Sequence, residues 1–96
     1  MVNNYELTVI LRNREVESLK EKLSGILQKH GVTVVKEDSW GTKRLAYMID
    51  EEKEGYYFFA HVQAAPEIVD KVIIDFRLTP DILRFLFVKM NEQKTA

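Results

Sequence analysis

Trp40-Gly41-Thr42-Lys43-Arg44-Leu45-Ala46-Tyr47-Met48-Ile49 turns through Asp50 to Gly55 and returns as Tyr56-Tyr57-Phe58-Phe59-Ala60-His61-Val62. Aromatic, β-branched and other apolar residues fill both arms, and a polar loop ending in Gly divides them. The stretch therefore reads as a two-stranded antiparallel ribbon. It holds most of the aromatic residues and an adjacent Lys-Arg pair. A ribbon both apolar and cationic is the first place to look for a partner.

Upstream, Tyr5, Leu7, Val9 and Leu11 alternate with Glu6, Thr8 and Ile10, the period of a strand. Asn13 is a good helix N-cap, and Val16, Leu19, Leu23, Ile26, Leu27 and His30 recur at helical spacing until Gly31 closes the helix. Gly25 inside it costs about 0.5 to 1 kcal/mol relative to Ala, which suggests close packing there. Val32 to Ser39 is a polar-faced strand, and Gly41 marks a bulge within one long strand. Downstream, Ala65-Pro66-Glu67 opens a second helix with a buried stripe of Val69, Val72, Ile73 and Phe76. Leu78-Thr79-Pro80-Asp81 stops it, Ile82 to Met90 is a last strand, and the polar tail 91–96 is expected to fray.

The order β-α-β-β-α-β implies an α+β, ferredoxin-like split βαβ sandwich. Four antiparallel strands would run in the order 4-1-3-2 with both helices on one face. The long second strand is then an edge, open to pairing. Inward alternation takes Phe58, Ala60 and Val62 in the third strand and Leu83, Phe85 and Phe87 in the last. Ile10, Tyr57, Phe59, Leu86 and Val88 are left as an apolar patch on the open face, the kind of surface that marks an interface.

The 96 residues make one expected domain, 1–96, burying about 60 to 68% of its unfolded surface. With 46% hydrophobic and 30% charged residues it falls in the soluble globular class. No apolar run approaches the roughly 20 residues that cross a bilayer, so no membrane role is expected. Met-Val-Asn-Asn-Tyr-Glu lacks the zones of a signal peptide, which points to the cytoplasm. Zero cysteines exclude disulfides, thiol catalysis and thiolate metal sites. A net charge of -1 is too low to hold nucleic acid by counterion release alone, so such binding needs a local patch or a basic helper.

Catalysis finds no support. His30 and His61 share no metal-ligand spacing, and Asp50-Glu51-Glu52-Lys53-Glu54 lacks the alternating ligands and central Gly of an EF-hand loop. That run reads as a solvated turn. Leu11-Arg12-Asn13-Arg14 has no glycine with which to cradle an anion, although Arg12 and Arg14 remain available to touch phosphate. No catalytic residue, metal, cofactor or small-molecule substrate is expected. Glu54-Gly55-Tyr56-Tyr57-Phe58-Phe59-Ala60-His61 partly echoes the RNA-recognition motif. That motif would turn Tyr56 and Phe58 to the open face, opposite to the parity above.

Gly41-Thr42-Lys43-Arg44-Leu45-Ala46-Tyr47-Met48-Ile49 followed by Gly55-Tyr56-Tyr57 resembles the Gly-x-Arg/Lys-Arg/Lys-Leu-Ala-Tyr-Pro-Ile and Gly-Tyr-Tyr/Phe pattern of the family of bacterial small-subunit ribosomal protein number six. Tyr5-Glu6 and Ile82 to Lys89 are similar to that family's first and last strands. The resemblance implies a non-enzymatic ribosomal protein that binds the central domain of small-subunit rRNA as a heterodimer with the basic small-subunit protein number eighteen. It implies RNA contact by Lys43, Arg44, Arg84 and Lys89, with Tyr5 adding stacking or a hydroxyl. Trp40, Tyr47, Tyr57 and Phe59 are the candidates for the protein partner, as large aromatic anchors. Met48 stands where the family has Pro, so this strand end is expected to keep a ladder hydrogen bond. The short tail lacks the acidic extension of some members. The rival reading is a protein-interaction or ligand-binding regulatory module that oligomerises through its edge strand and open face.

Overall fold

The computed structural model describes residues 2–49 and 51–90; Asp50 and the tail 91–96 lie outside them. The strand β1 (Asn3–Arg12) sends Tyr5, Leu7, Val9 and Leu11 inward, and Leu7 and Val9 are wholly buried. It is flanked antiparallel by β3 (Glu52–Ala64) and β4 (Ile82–Lys89), and β2 (Thr33–Ile49) adds to the outer side of β3. The order β2-β3-β1-β4 is the expected 4-1-3-2, with β2 as an edge.

The helices α1 (Val16–Lys29) and α2 (Pro66–Arg77) bury Leu19, Leu23 and Leu27, and Val69, Val72 and Phe76. Both stripes pack into one core with the inward residues of the sheet, leaving the opposite face open. Proline pre-sets the first turn of α2, and the Ala65 carbonyl accepts from the Ile68 and Val69 amides. Gly31, at φ 75°, ends α1 in the left-handed conformation that glycine tolerates. Two expectations fail here. Asn13 does not cap α1: the helix starts after Glu15, and Asn13 instead accepts from Thr42 Oγ1 (2.9 Å) and donates to Glu54. Gly25 marks no close packing, because a methyl there would meet nothing within 4 Å.

The ribbon is tighter and more irregular than alternation suggests. Ile49 pairs with Glu52, so most of the acidic run belongs to β3 rather than to a solvated turn, and Glu51 takes φ 65° beside the reversal. The bulge expected at Gly41 is present: the register shifts between Ser39 and Gly41, and Gly41 has φ 92°. A larger irregularity follows, in which Leu45 to Met48 stand opposite Lys53 alone. Met48 lies within this irregularity, where the β2–β3 register gives it no paired residue. On β4, a register shift beside Ile10 and Leu11 brings Ile82, rather than Leu83, against the core together with Phe85 and Phe87.

Candidate functional site

Phe58 is 2% exposed, and its neighbours Tyr57 and Phe59 lie half-buried on the other side of β3. This parity excludes the RNA-recognition-motif arrangement, which needs Phe58 on the open face. The extra residue of the Gly41 bulge is Trp40, and its ring lies over that face. It stacks on Phe59 at 5.4 Å between centroids and 11° between planes, and on Tyr57 at 6.4 Å and 16°. Nearly parallel rings offset in this way gain about 0.5–1.5 kcal/mol per pair beyond area burial. Trp40 nevertheless remains 48% exposed, so the stack offers a broad apolar surface to a partner.

Beyond Tyr57 the surface falls into a cleft of about 350 Å³. Its floor is Thr8, Ile10 and Tyr57, one wall is the displaced Leu45–Ile49 segment of β2, and the other is Arg84 to Leu86 of β4. Sliding off the β3 ladder lets Leu45 fold back and become buried, while Tyr47 stays 67% exposed at the rim. Three of the four aromatic partner candidates, Trp40, Tyr57 and Phe59, thus share one stack. Tyr47 stands apart, connected to them through the cleft that it and Tyr57 line.

The cationic candidates do not form one cluster. By register Lys43 shares the open face with Gly41 and Tyr57, and its Nζ lies 5.3 Å from the centre of the Trp40 ring. Such a cation–π contact contributes about 0.5–1 kcal/mol at an exposed site. Arg84 shares that face at the other edge of the sheet, opposite Ile10. Arg44 and Lys89 alternate to the helix side of the two edge strands. All four are exposed, and among the described residues none forms an ion pair. Tyr5 differs: its ring is 8% exposed and packs edge-on against Phe87 at 6.0 Å, which closes off stacking and leaves only the hydroxyl, close to Asn3 Nδ2.

Two charged clusters had no signal in local sequence. The Arg12 guanidinium meets Glu52 at 2.6 Å and Asp81 at 3.3 Å and donates to the Pro80 carbonyl at 3.2 Å. Arg14 reaches the same Glu52 oxygen at 3.1 Å, so both arginines offered to phosphate are already engaged by carboxylates. At the other end of the molecule His30 Nε2 lies 2.7 Å from Asp75 Oδ2, with Lys29 at 3.4 Å, joining α1 to α2. The hydrogen bond with His30 is the main influence holding the Asp75 carboxyl below its ordinary value of 3.8, and Lys29 adds to it. Both histidines are structural in position, since His61 bonds Asn4 at 2.9 Å. Among the described residues no group of three or more His, Cys, Asp or Glu could hold a metal, and no helix is long and apolar enough to cross a membrane.

The model of the family described as ribosomal protein S6 matches residues 4–89. Small ribosomal subunit protein bS6 of Bacteroides thetaiotaomicron is 36% identical over 95 residues, spanning 95% of this chain and 83% of its own length. Its counterpart in Leptospira biflexa is 32% identical over 90 residues, 94% of this chain and 99% of its own. The crystal structure of 30S ribosomal protein S6 from Thermotoga maritima superposes with a TM-score of 0.86 over 99% of this chain and 94% of that one. At 21% identity this is a likeness of fold.

Proposed function

Since the chain belongs to the ribosomal protein S6 family, a structural, non-enzymatic component of the small subunit of the cytoplasmic ribosome, we propose that it binds the central domain of small-subunit rRNA together with the basic small-subunit protein eighteen. The partner occupies the open face, with Trp40, Tyr57 and Phe59 as one anchor group and Tyr47 beside the cleft as a second. Lys43, Arg44, Arg84 and Lys89 meet phosphate and sugar, and Tyr5 is restricted to its hydroxyl. The observation that carries this reading is the aromatic stack of Trp40 on Tyr57 and Phe59. It is an exposed apolar surface lying between two edge strands that bear exposed cations.

The net charge of -1 accords with a shared task. The partner supplies most of the charge that neutralises phosphate, and this chain supplies shape and a few cations. Binding to a central-domain rRNA fragment, measured across a salt series with and without protein eighteen, tests the reading. Tight binding is expected only with the partner present. Replacing Arg44 and Arg84 together by Ala lowers the salt slope by about 1.4 to 1.8, at 0.7 to 0.9 per phosphate contact. Unchanged affinity and slope remove those two residues from the RNA site. A folded protein that binds RNA in neither condition overturns the proposal, and a stable homodimer in that case favours the interaction-module alternative.

A further inference from the structure

The cleft beside Tyr47 has two walls on different strands, and a single side chain connects the segments that carry them. Arg12, at the end of β1, reaches Glu52, which pairs with Ile49 across the ribbon's reversal, and Ile49 belongs to one wall. Through Nε and Nη2 it also reaches Asp81 and the Pro80 carbonyl, which lead directly into β4 and the other wall at Arg84. Its side chain is 18% exposed and that of Glu52 23%, so the contact is partly shielded from solvent screening. The wall formed by Leu45–Ile49 needs such a tie, because Leu45 to Met48 have lost their register with β3.

We propose that Arg12 is a positioning residue for partner binding: by holding Glu52 on one side and the Pro80–Asp81 turn on the other, it fixes the width of the cleft in the free protein. The inference rests on the reading of the open face as the surface for protein eighteen. The two ties differ in kind. The β4 side is also held by the Arg12 backbone amide, which donates to the Asp81 carbonyl at 2.8 Å. On the Glu52 side Ile49 is held by its own pairing with Glu52, and the guanidinium, helped by Arg14, ties that pair to β1, whose register with β3 ends at Arg12 and Gly55. Loss of the guanidinium therefore loosens the ribbon wall more than the β4 wall. A cleft that must then be ordered on binding costs affinity without losing a contact to the partner.

Arg12→Gln and Glu52→Gln test this, with Glu51→Gln as a neighbouring charge control. The first makes the chain more negative and the second less so. A bulk electrostatic effect on a basic partner would move their affinities in opposite directions. Positioning weakens both, by about three- to tenfold for a partly buried ion pair, while Glu51→Gln stays near wild type. Amide hydrogen exchange on the full chain supplies the second readout. Protection falls at Ile49 and Glu52 to Glu54 in the free variants, holds at Asp81 to Leu83, and recovers to wild-type levels once protein eighteen is saturating. If Arg12→Gln proves unfolded, Glu52→Gln set against Glu51→Gln carries both readouts, because bulk charge weakens the two alike whereas positioning weakens only the first. Affinities that shift in opposite directions, or unchanged exchange in the ribbon, overturn the positioning role. Failure of the wild-type protein to bind protein eighteen overturns instead the reading on which it rests.

Discussion

Gly55→Ala separates a generic effect from one specific to this fold, because the two have opposite signs. In an ordinary strand interior, alanine restricts the unfolded chain more than glycine does and would stabilise by about 0.5–1 kcal/mol. Here a methyl on Gly55 would lie 2.5 Å from Ile10 Cγ2, 3.4 Å from Leu45 Cδ2 and 3.5 Å from the Leu11 carbonyl oxygen. Ile10 Cγ2 is a branch methyl fixed to its own Cβ, so relief requires a change of χ1 or a movement of β1 against β3. Overpacking of this kind costs about 1–3 kcal/mol. With roughly 4–8 °C of melting temperature per kcal/mol at this size, the midpoint falls by about 5–20 °C. The assay is urea and thermal unfolding followed by circular dichroism and by the fluorescence of Trp40, with an unchanged m-value confirming that only stability has moved. A variant as stable as wild type, or more so, would refute the claim that Leu45 and Ile10 close over Gly55 and hence that the displaced β2 segment folds back onto the open face.

Gly25→Ala is the counterpart: with nothing within 4 Å of the added methyl and the residue exposed in mid-helix, it stabilises by about 0.5–1 kcal/mol, read as a higher urea midpoint at constant m. Asp75 introduces a pH dependence with a defined sign. Its carboxyl is held lower in the folded protein than its ordinary 3.8, so its contribution is fully present above about that pH and is lost as pH falls through the lower folded value. Asp75→Asn therefore flattens the acid limb of the stability–pH curve below pH 4, measured by urea midpoints from pH 2 to 6. An acid limb identical to wild type would show that the contact with His30 carries no linkage.

The fold was legible because one side of every central element is buried, and burial writes its period into the sequence. Leu7, Val9 and Leu11, and Phe58, Ala60 and Val62, alternate without interruption, and strand parity followed from them. Where the backbone slips, that signal ends. Alternation cannot say that Leu45 to Met48 face Lys53 alone, because a register shift moves every later side chain without changing its residue type. The cleft, made by that slip, has no sequence signal, although the aromatic character of Tyr47 and Tyr57 marks two of its lining residues. Gly41 did signal its bulge, and the bulge carries Trp40 over Tyr57 and Phe59. The partners of Arg12 lie far along the chain, 40 residues away at Glu52 and beyond α2 at Asp81, separations that only the fold closes. For Tyr5 the strand period already implies burial, and a ring on the inward side of β1 has no face left for a base.

On the proposed reading, the placement of the cations bears on why a basic partner is needed. Lys43 and Arg44 sit on β2 and Arg84 and Lys89 on β4, the two outer strands of four. Three inter-strand spacings of about 4.8 Å separate them by roughly 14 Å, well beyond the Debye length of about 8 Å at physiological ionic strength. Exposed charges so spaced do not reinforce each other's field, and on the open face Lys43 at one edge and Arg84 at the other each offer RNA only a weak local attraction. The ground between them is the apolar stack and the cleft, which attract no phosphate. A basic protein seated on that ground would place its charge between the two edges and convert two weak sites into one continuous cationic band. On the proposed reading, cooperativity thus follows from sheet geometry: the apolar face recruits the charge that the chain itself lacks, and RNA affinity of the pair exceeds what the separate affinities predict.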